Sequence, residues 1–253
     1  MSGFAADFAG AEVRVSPNFG PRRSPSQPDM IVLHYTGMQS GAAAEAWLCD
    51  PVSEVSSHYL VHEDGRVVQM VREADRAWHA GKSSWHGHGD INSASVGIEI
   101  VNPGHAFGYP DFPKRQIKSV IALCQDIQKR HRIAAERVVA HSDVAPGRKI
   151  DPGERFPWRQ LAKAGLGVFV QPRPADTAVL LPGSSGERVE ALQSMLALFG
   201  YGIEITGTYD PATEVVVSAF QRHYRPERFD GFADPSTLDT LRRLLAKVGA
   251  AAG

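Results

Sequence analysis

The chain has 253 residues, 43% of them hydrophobic, and a formal net charge of -1. That length allows one or two domains with a sizeable core; a pI near 6.8 gives no reason to expect nucleic acid, and no charge run is long enough for a tail. No run of 18 consecutive apolar residues occurs, so no transmembrane helix is expected.

Residues 1–18, MSGFAADFAGAEVRVSPN, show no basic segment followed by an apolar run, so no secretory leader is read there and the cytoplasm is the expected compartment. Residues 13–28 carry Pro17, Pro21, Pro25 and Pro28 and read as an extended arm. A buried strand is predicted over 30–35, with His34 inside its apolar run, and an Ala-rich helix over about 39–49. Residues 57–62 and 66–71 flank the turn signal EDG and read as a β-hairpin, with His58 nearby. Loop 78–90, WHAGKSSWHGHGD, has no rigid element to preset a metal geometry. Trp78, His79 and Trp85 are therefore read as a wall facing a ligand, and His86 and His88 as solvent-facing. Residues 95–102, SVGIEIVN, form a second apolar strand, carrying Glu99. Apolar residues at 117, 120, 121, 124 and 127 give one buried face to a helix over 113–131. A strand over 137–140 then delivers His141 into a loop, HSDVAPGRKIDPGERF, that also carries Lys149 and Asp151. Cys49 and Cys124 fall in predicted helices and read as small buried residues. Strands separated by helices predict an α/β fold, and the hairpin makes its central sheet mixed.

A lone His or Glu does not belong in a strand buried on both faces, because an unpaired buried charge costs several kcal/mol. Either the strand assignments fail or these residues share a cleft. In the second case His34, His141 and Asp151 supply a His₂Asp zinc site with one open position. Glu99 is then the general base and Lys149 faces the developing oxyanion.

The segments IVLHYTG (31–37), SSHYLVHEDGRVVQMV (56–71), AWHAGKSSW (77–85), SVGIEIVNPG (95–104) and AHSDVAPGRKIDPGERFPW (140–158) together resemble the zinc-dependent N-acetylmuramoyl-L-alanine amidases of the AmpD/AmiD type, relatives of peptidoglycan-recognition proteins. The resemblance implies one zinc on His34, His141 and Asp151, with Glu99 and Lys149 catalytic. The implied reaction is hydrolysis of the amide between N-acetylmuramic acid, or its anhydro form, and L-Ala. His58, Trp78, His79, Trp85, Asn102 and Arg148 are candidates for binding substrate or supporting the site. Muropeptide or peptidoglycan fragments are the expected partners. Members of this family work on both sides of the inner membrane, so the periplasm is the alternative compartment. A silent recognition module or a different zinc hydrolase on the same scaffold are the competing readings. Nothing specifies an oligomer, and a monomer is the default.

The expected division is a catalytic domain over 1–170 with its core at about 28–160, a linker over 171–184, and a helical module over 185–253. The module shows three amphipathic helices, two of them starting at Asp210-Pro211 and Asp234-Pro235. Its V-x-x-L-Q, G-Y, T-G-T-Y-D-x-x-T and A-F-Q pieces resemble the peptidoglycan-binding domain found beside many cell-wall hydrolases. The module is expected to be separable, leaving an active chain that ends near Ala175.

Overall fold

The computed structural model describes residues 4–174 and 180–251. Residues 175–179, in the middle of the expected linker, lie outside them.

The strands are β1 (Ala11–Val13), β2 (Phe19–Pro21), β3 (Met30–Tyr35), β4 (Tyr59–Val61), β5 (Val67–Gln69), β6 (Asp75–Ala77), β7 (Ser95–Ile100) and β8 (Val138–Ala140). The helices are α1 (Gly41–Leu48), α2 (Ile91–Ala94), α3 (Lys114–His131), α4 (His141–Val144), α5 (Trp158–Lys163), α6 (Glu187–Phe199), α7 (Pro211–Tyr224) and α8 (Pro235–Ala251). Six strands form one sheet in the order β1-β5-β4-β7-β3-β8, and β2 pairs with β6 in a separate two-stranded sheet. Pairing in the large sheet is parallel except for the hairpin β4–β5. The expected mixed sheet flanked by helices is therefore the observed one, and the proline-rich arm contributes β2.

Strand alternation decides what each face does. Ile31 and Leu33 of β3 and Val96, Ile98 and Ile100 of β7 pack against Ile117, Val120, Leu123, Cys124 and Ile127 of α3. Burying each of the Val, Ile and Leu side chains in this set is worth roughly 1.5–3 kcal/mol. The other face of β3 carries Met30, Val32 and His34. Met30 and Val32 join a core that runs through Ala80, Trp85, Ile91 and Val144 into Val189, Leu196, Val217 and Phe220 of the helical domain. His34 thus lies on the sheet face that the helical domain helps cover.

That continuous core argues against the expected separability of the helical module. It also corrects the reading of Trp85 as a wall facing a ligand. Its side chain is 1% exposed and meets Phe199 and Tyr201 edge-on. The neighbouring backbone bonds to the helical domain through His86 N–H to Gly200 O at 2.8 Å. A Cβ on Gly200 would sit 2.6 Å from the Trp85 ring, so the indole packs directly on backbone. The helical domain follows its predicted capping: Asp210 accepts the Thr213 N–H ahead of α7, and Asp234 accepts the Thr237 N–H ahead of α8.

Candidate metal centre and cleft

The three central strands point their C-terminal ends at one place, where parallel α/β sheets collect their ligand sites. His34 is directly opposite Glu99 in the β3–β7 register. His141 follows β8 immediately and opens α4, a single turn where a loop was expected. The chain returns through a Pro/Gly-rich loop to bring in Asp151. His34, His141 and Asp151 are all buried and form the group of possible metal ligands among the described residues. Their donor atoms are mutually close: His34 Nδ1 to His141 Nδ1 is 2.8 Å, His141 Nδ1 to Asp151 Oδ2 3.0 Å, and His34 Nδ1 to Asp151 Oδ2 3.2 Å. Tetrahedral zinc, with bonds near 2.0–2.2 Å, spaces its ligands by about 3.3 Å, so the set fits that ion after a small expansion.

Hydrogen bonds on the far side of each imidazole set its tautomer. Ser95 Oγ–H donates to Ile91 O at 2.6 Å, which leaves the oxygen to accept from His79 Nε2–H at 3.1 Å. His79 Nδ1 is then bare and accepts from His34 Nε2–H at 3.0 Å. His141 Nε2–H donates to Ala80 O at 3.1 Å. Both Nδ1 lone pairs therefore aim at the same point, and such outer partners orient metal-ligating histidines. Burial, then the neighbouring His141, lowers the His34 pKa to about 4 and keeps the ring neutral. Burial, then His34, holds His79 well below its ordinary value.

Glu99 has the opposite character. Burial, and then the charge of Asp151, pushes its pKa well above the ordinary value, against a smaller lowering by Lys149. Its Oε2 is buried without a hydrogen-bond partner. A carboxyl with a raised pKa and a free oxygen beside a metal-ligand set is suited to taking and returning a proton. Both Glu99 and the exposed Lys149 line a cleft of about 390 Å³ that also includes His141 and Asp151.

The remaining candidates divide. Trp78, His79 and Arg148 line the cleft. Arg148 ties two loops together by donating to Lys82 O, and to the same Ala80 carbonyl that accepts from His141. His58 lies behind the cleft, its ring 5.8 Å from that of His79, accepting the Gly97 N–H at 2.9 Å and donating to Asp75 O at 3.1 Å. Asn102 is corrected to a loop organiser, since its side chain donates to Pro110 O and accepts from Gly104 N–H, both at 2.9 Å. His86 and His88 are exposed and outside the metal-ligand group. Sequence reasoning missed Ser95 and Gly97, although the alternation of β7 puts both on the face of Glu99, where small and polar residues replace apolar ones. It also missed the apolar cleft residues Tyr35, Trp47, Val55 and Ile150.

A family model described as N-acetylmuramoyl-L-alanine amidase matches residues 24–154, just over half of the chain. The chain belongs to the N-acetylmuramoyl-L-alanine amidase family. A second model, of a peptidoglycan binding domain, matches residues 185–241 of the amidase. Among its relatives, the N-acetylmuramoyl-L-alanine amidase AmiD of Escherichia coli is 36% identical over 87% of this chain and 83% of its own. The 1,6-anhydro-N-acetylmuramyl-L-alanine amidase AmpD of Haemophilus influenzae is 31% identical over 57% of this chain and 86% of its own. The structure of E. coli AmiD with anhydro-N-acetylmuramic acid-L-Ala-D-gamma-Glu-L-Lys superposes with a TM-score of 0.74, at 36% identity, over 90% of this chain and 93% of that one. AmpDh3 from Pseudomonas aeruginosa also gives 0.74, at 29% identity, over 96% and 98%. The amidase is thus a hydrolase with a mixed α/β catalytic fold, and among the described residues no helix is long and apolar enough to cross a membrane.

Proposed function

We propose that the amidase holds one zinc ion on His34, His141 and Asp151 and hydrolyses the amide joining the lactyl group of anhydro-N-acetylmuramic acid to L-Ala in soluble muropeptides. The observation that carries this reading is the buried, unpartnered Oε2 of Glu99 in the same cleft as two of the three possible ligands, His141 and Asp151. When bound, zinc would make water more acidic and polarise the scissile carbonyl. Glu99 takes the proton from the attacking water at Oε2 and returns it to the departing L-Ala nitrogen. Lys149 Nζ stabilises the oxyanion that develops on the former carbonyl oxygen. The outward hydrogen bonds made by Nε2 of His34 and His141 leave both Nδ1 atoms facing the ion's position. Trp47, Trp78 and Ile150 give the cleft an apolar wall against which a sugar ring and a lactyl methyl can rest.

The anhydro form is preferred because relatives solved with ligand carry anhydromuramyl peptides: E. coli AmiD with the tripeptide derivative named above, and AmpDh3 with an anhydromuramic pentapeptide. Compartment belongs to the same proposal. Soluble anhydro fragments suit cytoplasmic action and intact sacculi periplasmic action, so substrate preference and cell fractionation are read together. Purified enzyme is given anhydro-muropeptides and intact sacculi separately, and the products are identified by mass spectrometry. Release of L-Ala-started peptides, faster from the soluble fragments, is the expected result. E99Q and K149A should fold, retain zinc and lose roughly 10²-fold or more in kcat. Near-normal turnover by either variant removes that residue from the mechanism.

A further inference from the structure

The helical domain reaches the metal centre through two consecutive residues of α7, Arg222 and His223. Asp143, in α4 two residues after His141, is completely buried. Its Oδ2 accepts the Ala140 N–H at 2.8 Å, which caps the turn that His141 opens. The same oxygen accepts from His223 Nδ1–H at 2.6 Å, and Oδ1 accepts from Tyr201 O–H at 2.7 Å. The His223 ring is stacked between Trp158 at 3.7 Å and Tyr224 at 3.8 Å, so it has no room to swing away. Two of the three donors that satisfy this buried carboxylate therefore come from the helical domain. Without them Asp143 would be desolvated with a single partner, a state that favours turning the side chain out. That movement loosens the cap on the turn that carries His141.

Arg222 holds the other side of the site. Its Nη1–H donates to Glu154 Oε2 at 2.6 Å. Glu154, three residues after Asp151, accepts from His105 Nε2–H at 3.1 Å, and His105 Nδ1 accepts from Tyr35 O–H at 3.0 Å. Tyr35 follows His34 and lines the cleft. The loops around His141 and Asp151 are thus each tied to an adjacent residue of α7.

We propose that Tyr201 and His223 are positioning residues for the catalytic domain: through Asp143 they fix the His141 turn, so part of the zinc affinity resides in the helical domain. This rests on the zinc reading of the metal centre given above. The test measures zinc dissociation constants by chelator competition on full-length H223L, H223N, Y201F and, as a control, L198A, whose side chain is 70% exposed. Each melting curve is recorded alongside, and affinities are taken well below every midpoint. H223L and Y201F should bind zinc about 10-fold more weakly, in the range usual for outer partners of metal ligands. H223N, which can place an N–H near the position of Nδ1, should recover most of the loss, and L198A should match wild type. Folded H223L and Y201F with wild-type zinc affinity would overturn the proposal. If H223L fails to fold, Y201F, which removes a single hydroxyl, decides alone. Absence of zinc binding by the wild type would instead sink the reading of the metal centre itself.

Discussion

Gly97→Ala is the sharpest probe of how the candidate metal ligands are aimed. A Cβ at this position would lie 2.4 Å from Cγ, 2.5 Å from Cδ2 and 2.6 Å from Nδ1 of His79. Non-bonded heavy atoms need about 3.5–4.0 Å, so the imidazole must retreat by about 1 Å. It cannot do so and keep both its 3.0 Å contact with His34 Nε2 and its 3.1 Å contact with Ser95 Oγ. Gly97 cannot yield either, because its N–H bonds to His58 Nδ1 and its carbonyl accepts from His58 N–H and Ser57 Oγ–H. Overpacking of this kind costs about 1–3 kcal/mol, which in a chain of this size lowers Tm by roughly 2–12 °C. Losing the outer partner of His34 should weaken zinc binding about 10–100-fold. Chelator competition and thermal melts measure the two effects separately. Gly20→Ala and Gly89→Ala, where an added Cβ meets nothing within 4 Å, serve as controls and should change neither quantity. A Gly97→Ala protein with wild-type zinc affinity would refute the claim that His79 aims His34.

Metal analysis should find most zinc lost from H34A, H141A and D151A. H86A and H88A should keep full stoichiometry, and H79A should still load at saturation but with weaker affinity; zinc loss in H86A or H88A would redirect the ligand assignment. Acid stability should depend on Glu73. Burial alone would raise its pKa, but hydrogen bonds from Arg130, His131 and Tyr59 outweigh it and hold it down to about 2 from 4.5. A carboxyl depressed in the folded state stabilises above its unfolded pKa, and that contribution is lost as pH falls from about 4.5 to 2. The amount is about 3 kcal/mol. E73Q should therefore be less stable at neutral pH and show a flatter stability profile across that window in denaturant titrations, and equal slopes would contradict the linkage.

The candidate metal centre was legible because buried strands rarely carry titratable side chains. His34 and Glu99 stood out against apolar runs, and one cleft accounted for both. The β3, β7 and α3 elements followed from periodicity over long segments. Trp85 was misread because a tryptophan in a Gly-rich loop looks the same whether it faces a ligand or another domain. Only the partners Phe199 and Tyr201, more than a hundred residues away, distinguish the two. Gly97 gave no local warning, since its constraint comes from His79, and Asn102 sat in a matching segment for the sake of its loop. Nothing in the segment around Asp143 marks it out. Its significance depends on Tyr201 and His223, residues of a domain whose docking no local pattern encodes.

The placement of the four tryptophans gives the protein a built-in optical readout. Trp47 and Trp78 line the cleft, while Trp85 and Trp158 are buried, at 1% and 3% exposure, against Phe199 and His223 of the helical domain. Emission from the first pair responds to whatever fills the cleft, and emission from the second to whether the two domains remain in contact. Ligand entry should quench without a red shift, whereas separation of the domains should shift the spectrum to the red. Intrinsic fluorescence can therefore follow occupancy and docking in a single unlabelled sample.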